Sequence, residues 1–333
     1  MDSCIDIVLA SYNGEQYIEQ QIRSIQGCEH YNELVSRFII SDDGSSDKTR
    51  EIIQRCATTD PKIELHDAPR INNINTTVPL GPIANFNYGI SLTTSYYIML
   101  CDQDDIWLPH KIRVSFTRML QLEQYHQSKN NQRISPLLVF SDMYIVDDEL
   151  NVLEQSYFTL KHIEKNWHES FEQLLQQNVV SGCTMLFNRP LLEQAMPIPS
   201  GAYMHDWWFA LMASRYGTLE LINQPLILYR QHSNNTIGAK ITPWWQWISL
   251  FIPKLKGFQC SFFKVITQAQ ALQQYENEID IKNHSSLVLL ATFPTMKRIQ
   301  RLKYILNGKI KRSYWVGTIA LILTALMMPT VKA

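Results

Sequence analysis

The sequence predicts an α/β fold built on a mostly parallel sheet with helices on both faces. Two observations carry this expectation. Short apolar runs alternate with helical patterns through the first half of the chain, as they do where helices cross between parallel strands. The polar clusters "ASYN", "SDDGSSD" and "CDQDD" each close an apolar run. They therefore fall at the carboxyl ends of strands, where open α/β sheets bind ligands.

Taken in order, "IDIVLAS" reads as a buried strand and "EQYIEQQIRSI" as a helix with Ile18, Ile22 and Ile25 on one face. "RFIISDDGSSD" is a strand ending in a polar turn, and "KTREIIQRC" is helical. "KIELH" is a short strand, "PIANFNYGIS" a helix, "SYYIMLC" a strand and "PHKIRVSFTRMLQLEQY" a longer helix. Further on, "PLLVFSDMYIVDDELNVL" is a strand and turn, and "FEQLLQQNVVSGCTMLFNRPLLEQA" is helix, strand, helix. "HDWWFALMASRYG" is helical, and "TLELI" and "LILYRQH" read as two strands. Neither an internal repeat nor a low-complexity tract interrupts the pattern.

With 333 residues, 45% of them hydrophobic and 18% charged, the chain can fill a sizeable core and is expected to form one large domain plus an appendage, or two domains. The formal net charge of −1 argues against nucleic acid as a partner. Cys4, Cys28, Cys56, Cys101, Cys183 and Cys260 show no C-x-x-C spacing, which disfavours a zinc or redox motif and fits free thiols in a reducing compartment. "MDSCIDIVLASYNG" lacks the basic and long apolar regions of a signal peptide, so a cytosol-facing domain is expected.

The texture changes after about Thr242. "PWWQWISLFIPKLKGF" is aromatic and lightly basic, a polar-faced helical stretch runs to about Asn307, and the chain closes on "KIKRSYWVGTIALILTALMMPTVKA". Tyr314 to Met328 is apolar or small throughout. It is shorter than the roughly 20 residues of a comfortable bilayer span. A short span, an interfacial anchor and a buried helix all fit it. Lys309, Lys311 and Arg312 precede it and would favour a cytosolic domain if it inserts.

Three carboxylates in four positions make "CDQDD" the most informative stretch. Such crowding is tolerable around a divalent cation, and Asp102 and Asp104 have the D-x-D spacing of Mg²⁺ or Mn²⁺ ligands. Asp105 fits a helix cap for a helix beginning near Leu108; the bland alternative for the whole stretch is a solvated acidic turn. In "SDDGSSD", Asp42 or Asp43 suits a base or ribose, while Asp42, Gly44, Ser45 and Asp47 equally suit a turn and a cap. Asp206 in "HDWW" is either a cap or a general base among aromatics, whose water-poor surroundings raise a carboxyl pKa. His232 in "YRQH" is a metal or phosphate ligand, or structural.

Together, "IDIVLASYNGEQYIEQQIRSI", "FIISDDGSSDKT", "YYIMLCDQDDIWLPHKI", "NVVSGCTMLFNRPLL", "HDWWFALMASRYG" and "YRQHSNNTIGA" resemble the family 2 glycosyltransferases, inverting enzymes of GT-A fold, over roughly Asp6 to Ala239. The last three blocks are most similar to the bacterial rhamnosyltransferase-like branch, which builds cell-surface polysaccharide. The resemblance implies a GT-A domain over 1–241, with a nucleotide-sugar half of about 1–110 and an acceptor half of about 111–241. A helical extension over 242–333 then follows, with its apolar tail at 314–329. It implies Ala10, Tyr12 and Asn13 near the nucleotide, although Ala10 and Ser11 stand where the family usually has Thr or Pro-Thr. It further implies Asp42 or Asp43 at base and ribose, Asp102 toward ribose and phosphates, Asp104 and His232 on Mn²⁺ or Mg²⁺, and Asp206 as base. His205 replaces the Glu that many relatives carry before that Asp.

The expected activity is transfer of a sugar, rhamnose or a hexose, from a nucleoside-diphosphate donor to a glycan acceptor, lipid-linked at the inner face of the plasma membrane, where the chain would be peripheral or C-terminally anchored. A catalytically silent nucleotide-sugar-binding module is the alternative. A nucleotidyltransferase ranks lower, because "ASYNGEQ" has one glycine and no lysine to cradle phosphates.

Overall fold

The computed structural model describes residues 3–69, 71–73, 76–129, 135–232, 246–279, 281–282 and 284–330. The strands are β1 (Ile5–Ser11), β2 (Val35–Asp42), β3 (Ile63–Asp67), β4 (Ile71–Asn73), β5 (Thr76–Val78), β6 (Tyr97–Asp102), β7 (Ile106–Trp107), β8 (Leu137–Val146), β9 (Val152–Glu154), β10 (Leu186–Asn188) and β11 (Thr218–Arg230). The helices up to Tyr216 are α1 (Ile18–Gln26), α2 (Tyr31–Leu34), α3 (Thr49–Ala57), α4 (Pro82–Ser91), α5 (Lys111–Lys129), α6 (Tyr157–Leu160), α7 (Phe171–Gln176), α8 (Arg189–Ala195) and α9 (His205–Tyr216). Beyond them lie α10 (Gln246–Glu278), α11 (Ser285–Ala291), α12 (Arg298–Leu306) and α13 (Trp315–Met327).

The main sheet runs β3-β2-β1-β6-β10-β8-β11-β7, with β9 paired to β8. β3, β2, β1 and β6 are mutually parallel, and β8 is parallel to β11. β10 is antiparallel to both β6 and β8, so β6 and β8 point the same way and β10 runs back between them. The chain goes from β1 outward to β2 and β3, then returns to the other side of β1 as β6. That reversal opens a crevice at the carboxyl ends of β1 and β6, the topological switch point where α/β sheets hold ligands.

Strand alternation divides the core. Ile5, Ile7 and Leu9 face the layer of α1, α3 and α5 with Met99 and Cys101, whereas Val8, Ile98 and Leu100 face Phe86 of α4 and Phe209 of α9. Both faces are buried, which is why these strands read as continuous apolar runs. On the second face Phe262, Ala269, Leu290, Ile305, Leu321 and Ala325 of the C-terminal helices join the same core cluster as Val8 and Phe209. The boundary expected near residue 242 lies outside the described residues.

Three expectations are corrected. "TLELI" and "LILYRQH" form one strand, β11, whose pairing with β8 slips on either side of Pro225; a bulge absorbs the proline that cannot donate to a ladder. The long helix starts at Lys111 rather than near Leu108, because Ile106 and Trp107 pair with β11 first. Asp105 consequently caps no helix: it is buried and accepts from the Arg230 N–H (3.3 Å). The tail forms α13, packed on α10 and α12. Among the described residues no helix is long and apolar enough to cross a membrane. Arg301, fully buried on α12, donates to the carbonyls of Met328 (2.6 Å) and Pro329 (3.0 Å) and so fixes the far end of α13.

Candidate active site

The β1 tip is stitched to both neighbouring tips. Its Tyr12 N–H donates to Gln103 Oε1 (2.9 Å) and Gln103 Nε2 returns a bond to the Tyr12 carbonyl (3.0 Å). Gly14 makes this possible, since a Cβ there would sit 2.3 Å from Gln103 Oε1. Asn13, at φ 47, accepts from the Ser46 N–H (2.8 Å), joining β1 to the loop after β2. Tyr12 is exposed and Ala10 partly buried, so the β1 tip offers one aromatic face and otherwise backbone.

The loop after β2 consumes most of its own carboxylates. Asp42 is fully buried and accepts from Gly44 N (3.1 Å), Ser45 N (2.9 Å), Ser45 Oγ (2.6 Å), Ser11 Oγ (2.9 Å) and the Arg50 guanidinium (3.1 Å). With that many donors no oxygen of Asp42 is left for a ligand, and of the pair Asp42 or Asp43 only the second stays eligible. Asp43 accepts one backbone bond on each oxygen, from Leu80 N and Gly81 N (2.8 Å each), and fastens the entry to α4 beside the β1 tip. A carboxylate has room for about four bonds. Asp47 accepts from Thr49 N (3.0 Å) and Glu15 N (3.1 Å) but is not the cap the sequence suggests, since α3 begins at Thr49 and Lys48 stands at its N-cap.

The tip of β6 is organised in the opposite way. Burial, and after it the negative charges of Asp104 and Asp206, push Asp102 up to about 7. Asp105, beneath, is raised well above the carboxylate range by burial first and by Asp104 and Asp102 next, and its Oδ2 has no hydrogen-bond partner. Below it Lys111 is fully buried, its ammonium nitrogen without a hydrogen bond, 4.5 Å over the Trp107 ring, and burial pulls it down to about 8. Asp104 meets His232 across the cleft: Nε2 to Oδ2 is 2.8 Å. The His232 ring stacks on Tyr17 at 4.9 Å. Arg230, buried at the end of β11, donates its Nε to the Asp104 carbonyl (2.9 Å) and also reaches Gln20 (2.7 Å) and the Asp148 carbonyl. It thereby holds the backbone on which Asp104 sits.

Asp206 arrives from the other half of the chain. β10 is antiparallel, so the segment entering it, Gly182 to Thr184, lies at the carboxyl end of β6. There the Gly182 N–H donates to Asp206 Oδ2 (3.2 Å), and Asn178 Nδ2 (3.3 Å) and the Trp207 N–H (2.5 Å) donate to Oδ1. Asn178 is itself clamped by both polar groups of Val180. Burial nonetheless prevails over these bonds and lifts Asp206 to about 6, a value suited to a base near neutral pH. His205 stacks on Phe86 at 4.2 Å with neither ring nitrogen bonded, and burial drives it down to about 3, so it is a neutral wedge. A Cβ on Gly182 would lie 2.8 Å from His205 Nε2; the glycine lets its N–H come close enough to reach Asp206.

The structure thus places Asp102 within electrostatic reach of both Asp104 and Asp206, and joins Asp104 to His232. Hard oxygen and imidazole nitrogen from Asp104 and His232 suit Mn²⁺ or Mg²⁺. Asp102, Asp105 and Cys183 also approach within 4.8 Å. Burial keeps the Cys183 thiol well above its usual pKa, so that lower set offers a neutral thiol and a buried acid rather than anionic ligands. Asn178, Gly182, Gln103 and Arg230 were not legible as site residues; only the crowding of small and amide residues in "QNVVSGC" marks the first two.

Residues 6–125 match the sequence model of glycosyl transferase family 2. Over that third of the chain the sequence is similar to the family. It is 26% identical over 301 residues to the dTDP-rhamnosyl transferase RfbG of Shigella flexneri, covering 87% of this chain and 94% of that protein. An uncharacterized glycosyltransferase of Haemophilus influenzae is 26% identical over 243 residues, 71% of this chain and 68% of that one. The fold is that of GT-A glycosyltransferases: S. aureus TarS 1–349, solved with UDP, superposes with a TM-score of 0.51 at 12% identity, covering 98% of this chain and 90% of that one.

Proposed function

We propose that this chain is a family 2 glycosyltransferase that moves a sugar from a nucleoside-diphosphate donor to a hydroxyl of a lipid-linked glycan destined for the cell surface, with inversion at the anomeric carbon. The observation that carries the reading is the approach of Asp206, from the second half of the chain, to Asp102 and its neighbour Asp104 at the switch point between β1 and β6. Rhamnose is the first donor sugar to test, because the likeness to a dTDP-rhamnosyl transferase extends over nearly the whole of both chains; a hexose is the second.

In this reading the nucleoside lies against Tyr12 and the backbone of Ala10 and Asn13, with the spare acceptor capacity of Asp43 toward base or ribose. Asp102 turns to the ribose and phosphates. Asp104 and His232 would hold Mn²⁺ or Mg²⁺, which would supply positive charge to offset that of the departing diphosphate. Arg230 keeps Asp104 in place. Asp206, fixed by Asn178 and by the Gly182 and Trp207 N–H groups, takes the proton of the acceptor hydroxyl as that oxygen attacks the face opposite the leaving group. One displacement then gives inversion.

A screen of nucleotide sugars, dTDP-rhamnose and UDP-hexoses first, with and without Mn²⁺, tests the reading. One donor is expected to protect the chain from thermal unfolding and to release sugar slowly in the presence of metal. Protection without any release over long incubation would instead fit a silent binding module.

A further inference from the structure

From His284 to Thr330 the chain holds seven Lys and Arg and no Asp or Glu, although the protein as a whole carries a net charge of −1. The same stretch turns apolar side chains outward. On α13, Trp315 (62% exposed), Ile319 and Leu326 follow one another at helical spacing on the solvent side, while Leu321, Thr324 and Ala325 face the core. On α12, which packs against it, Ile299 (82% exposed), Lys303 and Leu306 repeat the spacing. A helix that is apolar on both its buried and its open side is not patterned for water. Contiguous exposed apolar surface with basic residues around it marks an interaction site.

We propose that the outward faces of α12 and α13 are the surface by which this glycosyltransferase lies on an anionic lipid bilayer. The proposal deepens the membrane-facing part of the function given above and rests on it. Charge complementarity names the occupant. Lys297, Arg298, Lys303 and Lys309 are exposed, whereas Arg301 and Arg312 are occupied in holding backbone carbonyls. Several exposed lysines beside an indole and branched aliphatic side chains combine the two attractions of an interfacial helix, apolar insertion and attraction to acidic headgroups. The α13 helix has 13 residues. At 1.5 Å each it is about 20 Å long, too short for a hydrocarbon core of about 30 Å, so lying in the interface is the geometry open to it. Arg301 ties the end of α13 to α12, so the face is offered without unfolding.

Full-length protein is sedimented with phosphatidylcholine vesicles with and without phosphatidylglycerol. The wild type is expected to bind the anionic vesicles and to leave them as salt rises. Trp315→Glu with Ile319→Glu, both on exposed positions, is expected to cut binding at least tenfold, and Lys303→Glu with Lys309→Glu about five-fold or more per lysine, from about 1 kcal/mol per cation at such a surface. Donor hydrolysis in solution is expected to be unchanged in both variants. Anionic-vesicle binding that survives both variants overturns this face while leaving membrane association standing. No binding by the wild type, or equal binding to neutral vesicles, overturns the proposal altogether. A wild-type dimer that Trp315→Glu splits would show the face to be a contact between copies instead, and absence of hydrolysis from every form would count against the catalytic reading and not against this one.

Discussion

The loops after β2 and β6 look alike as sequence, "SDDGSSD" and "CDQDD", and are opposites as structure. In the first, five donors converge on Asp42 and two backbone N–H groups on Asp43. In the second, burial and then the charge of Asp104 raise both Asp102 and Asp105, and Asp105 keeps an oxygen without a partner. One loop satisfies its negative charge internally and becomes a rigid support. The other gathers carboxyls whose ionised forms burial disfavours, so ionising them costs stability unless a ligand compensates. A count of carboxylates cannot separate the two; a count of donors can.

The largest expected effect that sharpens this contrast is Asp206→Asn, which should lower kcat by about 10²–10⁴. Because burial raises Asp206 above its unfolded value, its contribution to stability is full in acid and is lost as pH rises through about 6. The variant should therefore melt no lower than wild type at pH 7.5, as calorimetry would show. Wild-type turnover in Asp206→Asn would remove the base assignment. Next is Asp42→Asn, expected to destabilise by about 2 kcal/mol in urea titrations because it disrupts the donors that converge on a buried carboxylate. Asp104→Ala should leave the urea midpoint nearly unchanged yet weaken donor binding about tenfold or more and abolish its response to Mn²⁺, read by titration calorimetry. If Asp42→Asn costs nothing while Asp104→Ala unfolds the chain, the contrast between the loops is reversed. Last, kcat should fall about tenfold per pH unit below about 6 as Asp206 is protonated, a limb absent from Asp206→Asn.

Most of the sheet was legible because its strands are buried on both faces and bounded by turn residues. The positions of Asp102, Asp104 and Asp206 within their local elements were legible for the same reason. The sequence could not show what lies across space. Asp105 looked like a cap because its partner, the Arg230 N–H, is 125 residues away. Asp42 looked as available as Asp43, since hydrogen-bond saturation by Ser11 and Arg50 depends on tertiary packing. "TLELI" and "LILYRQH" looked like two strands because Pro225 breaks local pattern, while pairing with β8 on both sides restores one strand.

The reversed direction of β10 has a consequence of its own. A strand running against its neighbours is entered where they are left, so Gly182 stands beside Asp102 while Asn188 departs from the opposite rim. Insertions after Asn188 would accordingly grow on the side remote from chemistry. Under the proposed function, extra residues ahead of Asn178 would instead reshape the acceptor's approach without disturbing the nucleotide's seat, a route by which such a scaffold could take new acceptors while its donor stays the same.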